Sequence, residues 1–207
     1  GNVNETVTNK ANGKINFSTL SFDKAGVYNY TVKEVAGTNT DVDYDAMTIN
    51  VKVTVTKDAN TGLLSASTVM TSSGGEATDA NDRVFNNFVV PPVPVNVNFT
   101  KALAGRTLVA GEFTFEMKDE NGVVVATGTN DEHGVVTFNQ LPEVKNAQVG
   151  KVIKYKVTEK VPANKEFGVT YDNMAAEVSV TVSKNADHTL KATVTYPGGD
   201  TEFNNTV

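Results

Sequence analysis

The sequence contains no cysteine and no tryptophan. Without cysteine there can be no disulfide, no thiolate metal site and no thiol nucleophile. Only two histidines are present, His133 and His188, so neither a His-based metal centre nor a Ser-His-Asp triad is expected. Positive charge is in short supply: 18 Lys and Arg face 24 Asp and Glu, for a net charge of −6. Phosphate binding needs clustered cations, so nucleic acid is excluded as the expected partner. No apolar run reaches the ~20 residues of a membrane-spanning helix, so no membrane insertion is expected. The N-terminus shows no signal-peptide pattern. The expectation is a mature or truncated soluble fragment of one or two domains.

The residues present are those of strands. Valine and threonine dominate, and apolar residues alternate in Val51–Val55, Val95–Phe99, Val178–Val182 and Ala192–Tyr196. Turn pairs such as Asn12-Gly13, Asn121-Gly122 and Gly198-Gly199 separate the runs. Many short strands with such turns predict sandwiches or Greek-key barrels. Three of the six prolines fall in Phe88–Pro94, which reads as an extended, semi-rigid linker. Charge is even across it: 7 basic and 10 acidic residues in 1–92, 11 and 14 in 93–207, so each part is net −3.

An internal repeat organises the chain. Thr6–Leu20 matches Thr127–Leu141 without a gap, both ending in a Phe-x-x-Leu pattern. Tyr30-Thr-Val-Lys-Glu34 matches Tyr155-Lys-Val-Thr-Glu159, and Val42-Asp-Tyr-Asp45 matches Val169-Thr-Tyr-Asp172. Val84-Phe-Asn-Asn87 matches Glu202-Phe-Asn-Asn205. The second copy has Val95–Asn121 ahead of the aligned block, with no equivalent in the first. The predicted fold is therefore all-β: two tandem Ig-like (Greek-key) β-sandwich domains, the first lacking its N-terminal strands. The expected boundaries are 1–90 for the first domain, 91–94 for the proline-rich linker and 95–207 for the second.

Three polar residues of the second copy sit in step with core positions. Lys101 continues the alternation of Val95, Val97 and Phe99; Glu159 follows Tyr155 and Val157; Asn205 follows Phe203. A lysine in register with buried residues is unusual unless it is paired. An amine, a carboxyl and a carboxamide are each predicted to point inward.

These motifs, Phe99-Thr-Lys101, Tyr155-Lys-Val-Thr-Glu159 and Phe203-Asn-Asn205, taken with Gly26–Glu34 and Val-x-Tyr-Asp, resemble the isopeptide-containing domain of streptococcal-type major pilins and related Gram-positive surface adhesins. The resemblance implies an Ig-like sandwich in which Lys101 bonds covalently to Asn205, with Glu159 as catalyst and no cofactor. An apolar interior disfavours the charged forms of both an amine and a carboxyl, so a neutral amine can attack beside a neutral acid. That acid would polarise the carboxamide and shuttle protons as ammonia leaves. Holding the groups together removes roughly 7–11 kcal/mol of barrier. The reaction happens once per chain, so the protein is not expected to be a turnover enzyme.

In the first copy Glu34 and Asn87 match the family's catalyst and acceptor positions, but the counterpart of Lys101 would fall upstream of residue 1. Lys10 and Lys14 align with a hairpin turn and its exit, so neither is a substitute. No Lys-Asn bond is expected within the first copy unless a Lys-bearing strand complements it from elsewhere. The function implied is a rigid stalk module of a cell-wall-anchored, extracellular pilin or adhesin, whose partners are neighbouring domains of the same surface protein or pilus. Two alternatives are a host-ligand-binding domain using loops such as Thr71–Arg83, and a split-domain acceptor for covalent peptide ligation through Asn87. Asp41, Asp43 and Asp45 alternate like calcium ligands but lack the EF-hand glycine and glutamate, and read as a solvated face. Leu141–Val144 reads as a loop between strands.

Overall fold

The computed structural model describes residues 4–207. The strands, in chain order, are β1 (Gly26–Lys33), β2 (Val42–Asp43), β3 (Thr48–Lys57), β4 (Leu64–Ser73), β5 (Phe88–Val89), β6 (Val93–Pro94), β7 (Phe99–Ala104) and β8 (Thr114–Lys118). They continue with β9 (Val124–Asn130), β10 (Val135–Asn139), β11 (Glu143–Val144), β12 (Val152–Glu159), β13 (Ala175–Lys184), β14 (Leu190–Thr195) and β15 (Glu202–Thr206). The described residues contain no α-helix, only a 3₁₀ turn at Asn146–Gln148. The protein is all-β, as β-branched alternation with polar turns dictates.

The chain divides into two compact units, Gly1–Ala36 with Asp45–Asn86, and Gly37–Tyr44 with Asn87–Val207. The proline-rich stretch and its flanks carry two short ribbons of the second unit: β5 pairs with β2, and β6 with β11. The segment read as a loop at Leu141–Val144 thus contributes a strand.

The first unit holds the antiparallel sheet β1-β3-β4, with Gly26 opposite Val55 and Thr48 opposite Ser73. Met47, Ile49, Val53 and Val55 are buried in it. The second unit runs as one hydrogen-bonded path, β14-β13-β12-β8-β9-β10-β7-β15, folded over its own apolar face. Phe115 on β8 and Phe203 on β15 lie far apart along that path, yet their ring centroids are 4.9 Å apart. The layers therefore close on a core of Val95, Phe99, Phe115, Met117, Val157, Val178, Val180 and Phe203. The strand regularity predicted over Val95–Asn98 begins only at Phe99, although Val95 is fully buried.

The repeated block folds differently in the two units. In the second unit, Thr127–Leu141 supplies most of β9 and β10, which pair outward with β8 and β7. In the first unit the matching turn forms, with Lys10 N–H bonded to Lys14 O at 2.9 Å, but no strand flanks it. Counterparts of β7 and β8 are absent among that unit's described residues, so the ladder has no outer partners. Gly134, at φ +88°, shows the same contrast: a Cβ there would lie 2.3 Å from the Lys101 carbonyl oxygen. At Gly13, the aligned glycine at φ +80°, a Cβ would meet nothing within 4 Å. Gly134→Ala is therefore expected to displace β7 and lower the second unit's stability by well over the ~1–2 kcal/mol of a left-handed alanine. Gly13→Ala should cost only that conformational penalty. Equal shifts in the two variants' melting transitions would refute the close-packing argument.

Candidate functional site

The site lies at one end of the second unit's strand order, where β7 pairs with β15. β7 and β15 run parallel, with Lys101 opposite Phe203 and Asn205 opposite Leu103. Lys101 and Asn205 are thus diagonal neighbours on one face, since side chains two apart on a strand share a face. Glu159 closes β12 opposite Phe115. The Phe115–Phe203 contact brings β12 over β7 and β15, so the carboxyl meets the amine and carboxamide across the core. Alternation explains each placement: in β15, Phe203 and Asn205 are buried while Glu202, Asn204 and Thr206 are exposed.

The structure brings the three residues together. Lys101, Asn205 and Glu159 are 3%, 1% and 7% exposed. Glu159 Oε2 lies 3.1 Å from Lys101 Nζ, and both side chains are fully inaccessible. Oε2 has no other polar partner among the described residues. Asn205 Nδ2 donates to Glu159 Oε1 at 2.7 Å, so one carboxylate touches both the amine and the amide nitrogen. Lys101 Nζ also donates to Phe203 O at 3.2 Å and sits 4.7 Å from the Phe113 ring centroid. Burial pushes the Lys101 amine below the ordinary lysine value, against the opposing pull of Glu159. The apolar surroundings thus disfavour the charged form of the amine.

One contact of the site is marked by none of the three motifs. The Asn205 carbonyl oxygen accepts a hydrogen bond from the Asp172 backbone N–H at 2.8 Å. Glu159 thus engages the amide nitrogen, and the Asp172 N–H the oxygen. The available signal was the Val-x-Tyr-Asp motif, recurring as Val42–Asp45 and Val169–Asp172. A backbone donor has no residue identity, so the repeat could mark the segment but not its contact.

In the first copy, Glu34 is half-buried just after β1, and Asn87 is exposed before β5, within the second unit. Lys10 and Lys14 are exposed at the turn. The three alternating aspartates are not one solvated face. Asp45 is buried and accepts from the N–H groups of Met47, Glu76 and Asn86. Asp43, within the second unit, pairs with Lys184 and His188 and accepts from Asn146. Burial raises the Asp43 carboxyl, but hydrogen bonds from Lys184, His188 and Asn146 outweigh it and hold the value near 2.

In this β-sandwich the paired strands β7 and β15 thus bury a lysine and an asparagine against one glutamate. A family model described as FctA, the Spy0128-like isopeptide containing domain, matches residues 1–89 and again 97–207. The chain belongs to that family, in two copies. Among solved structures it is similar to the major pilin protein (T-13) from Streptococcus pyogenes, at 19% identity and a TM-score of 0.32, over 90% of this chain and 68% of that one. No curated protein sequence matches it significantly.

Proposed function

We propose that the protein is a load-bearing shaft module of a Gram-positive pilus or surface adhesin, stiffened by an amide bond it forms between Lys101 and Asn205. The observation that carries this reading is the sealed contact of Lys101, Glu159 and Asn205. The neutral Lys101 Nζ attacks Asn205 Cγ, a C–N bond forms, and the bond from Cγ to Nδ2 breaks. Glu159 takes the first proton from the Lys101 ammonium at Oε2 before the attack and gives it to Nδ2 from Oε1 as that bond breaks. It then takes the second Nζ proton and passes it to the freed ammonia, which leaves as ammonium, so the carboxylate is regenerated. The bond would tie β7 to β15, near the start and end of the second unit. Tension applied through those ends would then run along a covalent path rather than through the hydrogen-bonded core. The setting is the extracellular, cell-wall-anchored surface, with neighbouring modules as partners.

Intact-mass spectrometry of the folded chain tests the chemistry. The mass should fall short of the sequence mass by one ammonia, and tandem fragmentation should place the link at Lys101 and Asn205. A full sequence mass from folded protein sinks the proposal.

A second reading concerns the first unit, which presents a groove of about 380 Å³ lined by Ile15, Phe17, Leu20, Tyr30, Val51 and Met70, among others. Ile15, Phe17 and Leu20 remain substantially exposed there. With Gly13 facing open space, the groove favours a strand acceptor, filled by an added Lys-bearing strand through β-augmentation. A peptide spanning residues 94–121 should form a covalent adduct that is lost on Asn87→Ala. Absence of an adduct at saturating peptide counts against this reading.

A further inference from the structure

Resting on the proposed Lys101–Asn205 reaction, we infer that the Asp172 backbone N–H is its oxyanion donor, and that the Asp172 carboxylate aims it. Attack of Nζ on Cγ moves an electron pair onto Asn205 Oδ1. That oxygen must be stabilised until the bond to Nδ2 breaks and the carbonyl reforms. Glu159 is committed elsewhere, with Oε2 on the amine and Oε1 on Nδ2. Among the described residues, the donor to Oδ1 is the Asp172 N–H, at 2.8 Å.

The orientation of the carboxamide follows from its partners. A backbone N–H can only donate and a carboxylate can only accept, so the oxygen faces Asp172 and the nitrogen faces Glu159. The opposite flip would set a donor against a donor and an acceptor against an acceptor. The leaving nitrogen is thereby presented to the proton carrier and the charge-bearing oxygen to the dipole, as acyl transfer requires.

The donor is also held rigidly. Asp172 Oδ1 accepts from Met174 N–H at 2.8 Å, and Oδ2 accepts from Asn204 N–H at 2.6 Å. Thr170 and Thr206 exchange backbone bonds of 2.8 and 3.2 Å beside it. The carboxylate thus ties the 170–174 segment to β15, one residue before the reacting asparagine. The first unit repeats the clamp: Asp45 Oδ1 accepts from Met47 N–H at 2.8 Å, and Oδ2 from Asn86 N–H at 2.9 Å. The clamp therefore belongs to the fold. In the second unit it places an N–H on the oxygen where charge develops.

The test must separate the N–H from the carboxylate. In the full chain, residue 172 is replaced by the α-hydroxy analogue of aspartate, which swaps the N–H for an ester oxygen and keeps the side chain. After refolding, ammonia loss is followed by intact mass over time. Loss of one preorganised donor should slow it by roughly 10²–10³-fold. A rate equal to that of the unmodified chain overturns the assignment. The same ester in a Lys101→Met chain, which cannot react, reports whether the unit still folds. If it does not, the comparison becomes Asp172→Ala against Asp172→Asn. Slowing in the alanine variant with recovery in the asparagine variant, which retains an acceptor, supports the role, and equal rates in both overturn it. Absence of ammonia loss in the unmodified chain would instead overturn the underlying reaction, so the two failures are distinguishable.

Discussion

Glu159→Ala is expected to abolish ammonia loss and to destabilise the second unit more than removal of the lysine itself. Two effects combine. The proposed crosslink closes a loop of about 100 residues, a constraint worth on the order of 4–5 kcal/mol by the chain-entropy model. The alanine variant also leaves the Lys101 amine, 3% exposed, without its counter-charge. Breaking a buried pair by removing one partner costs about 3–5 kcal/mol. Lys101→Met also prevents the bond, yet it replaces the buried amine with an apolar chain of similar length beside Phe113. Thermal melting should therefore rank the unmodified chain first, Lys101→Met second and Glu159→Ala last. Ammonia loss from Glu159→Ala would show that the carboxyl carries no protons in the reaction. A Glu159→Ala chain as stable as Lys101→Met would show that the buried amine needs no partner.

Asp45→Ala should unfold the first unit while leaving the second intact. Asp45 is 4% exposed, and its carboxylate accepts backbone N–H bonds from Met47, Glu76 and Asn86 at 2.8, 3.0 and 2.9 Å. These join the entry of β3, the turn after β4 and the last residues of the unit. Gly75 permits the approach: at φ +52°, a Cβ there would fall 2.3 Å from Asp45 Oδ1 and 2.1 Å from Met47 N. Alanine would leave three N–H groups without their acceptor, at about 1–3 kcal/mol for each that stays dry. The sum rivals the 5–15 kcal/mol stability of an ordinary domain, and this unit's sheet has only three strands. Limited proteolysis with mass mapping should show cleavage spreading through 45–86 while 95–207 survives. Unchanged protection of 45–86 would mean that water replaces the carboxylate at little cost.

The inward set of Lys101, Glu159 and Asn205 was legible because strand alternation has period two. A polar residue in step with Phe99, Val157 or Phe203 must share its face, whatever the sheet order. The two copies were legible because repeated motifs survive small loop changes. The Asp41–Asp45 alternation misled for a related reason: periodicity assigns a face but not what covers it. Asp45 is covered by its own unit's backbone, and Asp43 meets Lys184, His188 and Asn146, all more than 100 residues away.

Strand content, the duplication and the inward-facing side chains follow from residue type and spacing along one strand. The parallel pairing of β7 with β15, the folding-over by which Phe115 meets Phe203 and the reach of Glu159 to both nitrogens belong to the packed fold. It alone decided that the Asp172 N–H lies on the Asn205 oxygen. Such contacts join strands distant in the chain, and two of the decisive groups, a backbone N–H and a carbonyl, are common to nearly every residue. Their positions follow from how the layers close, which local periodicity does not encode.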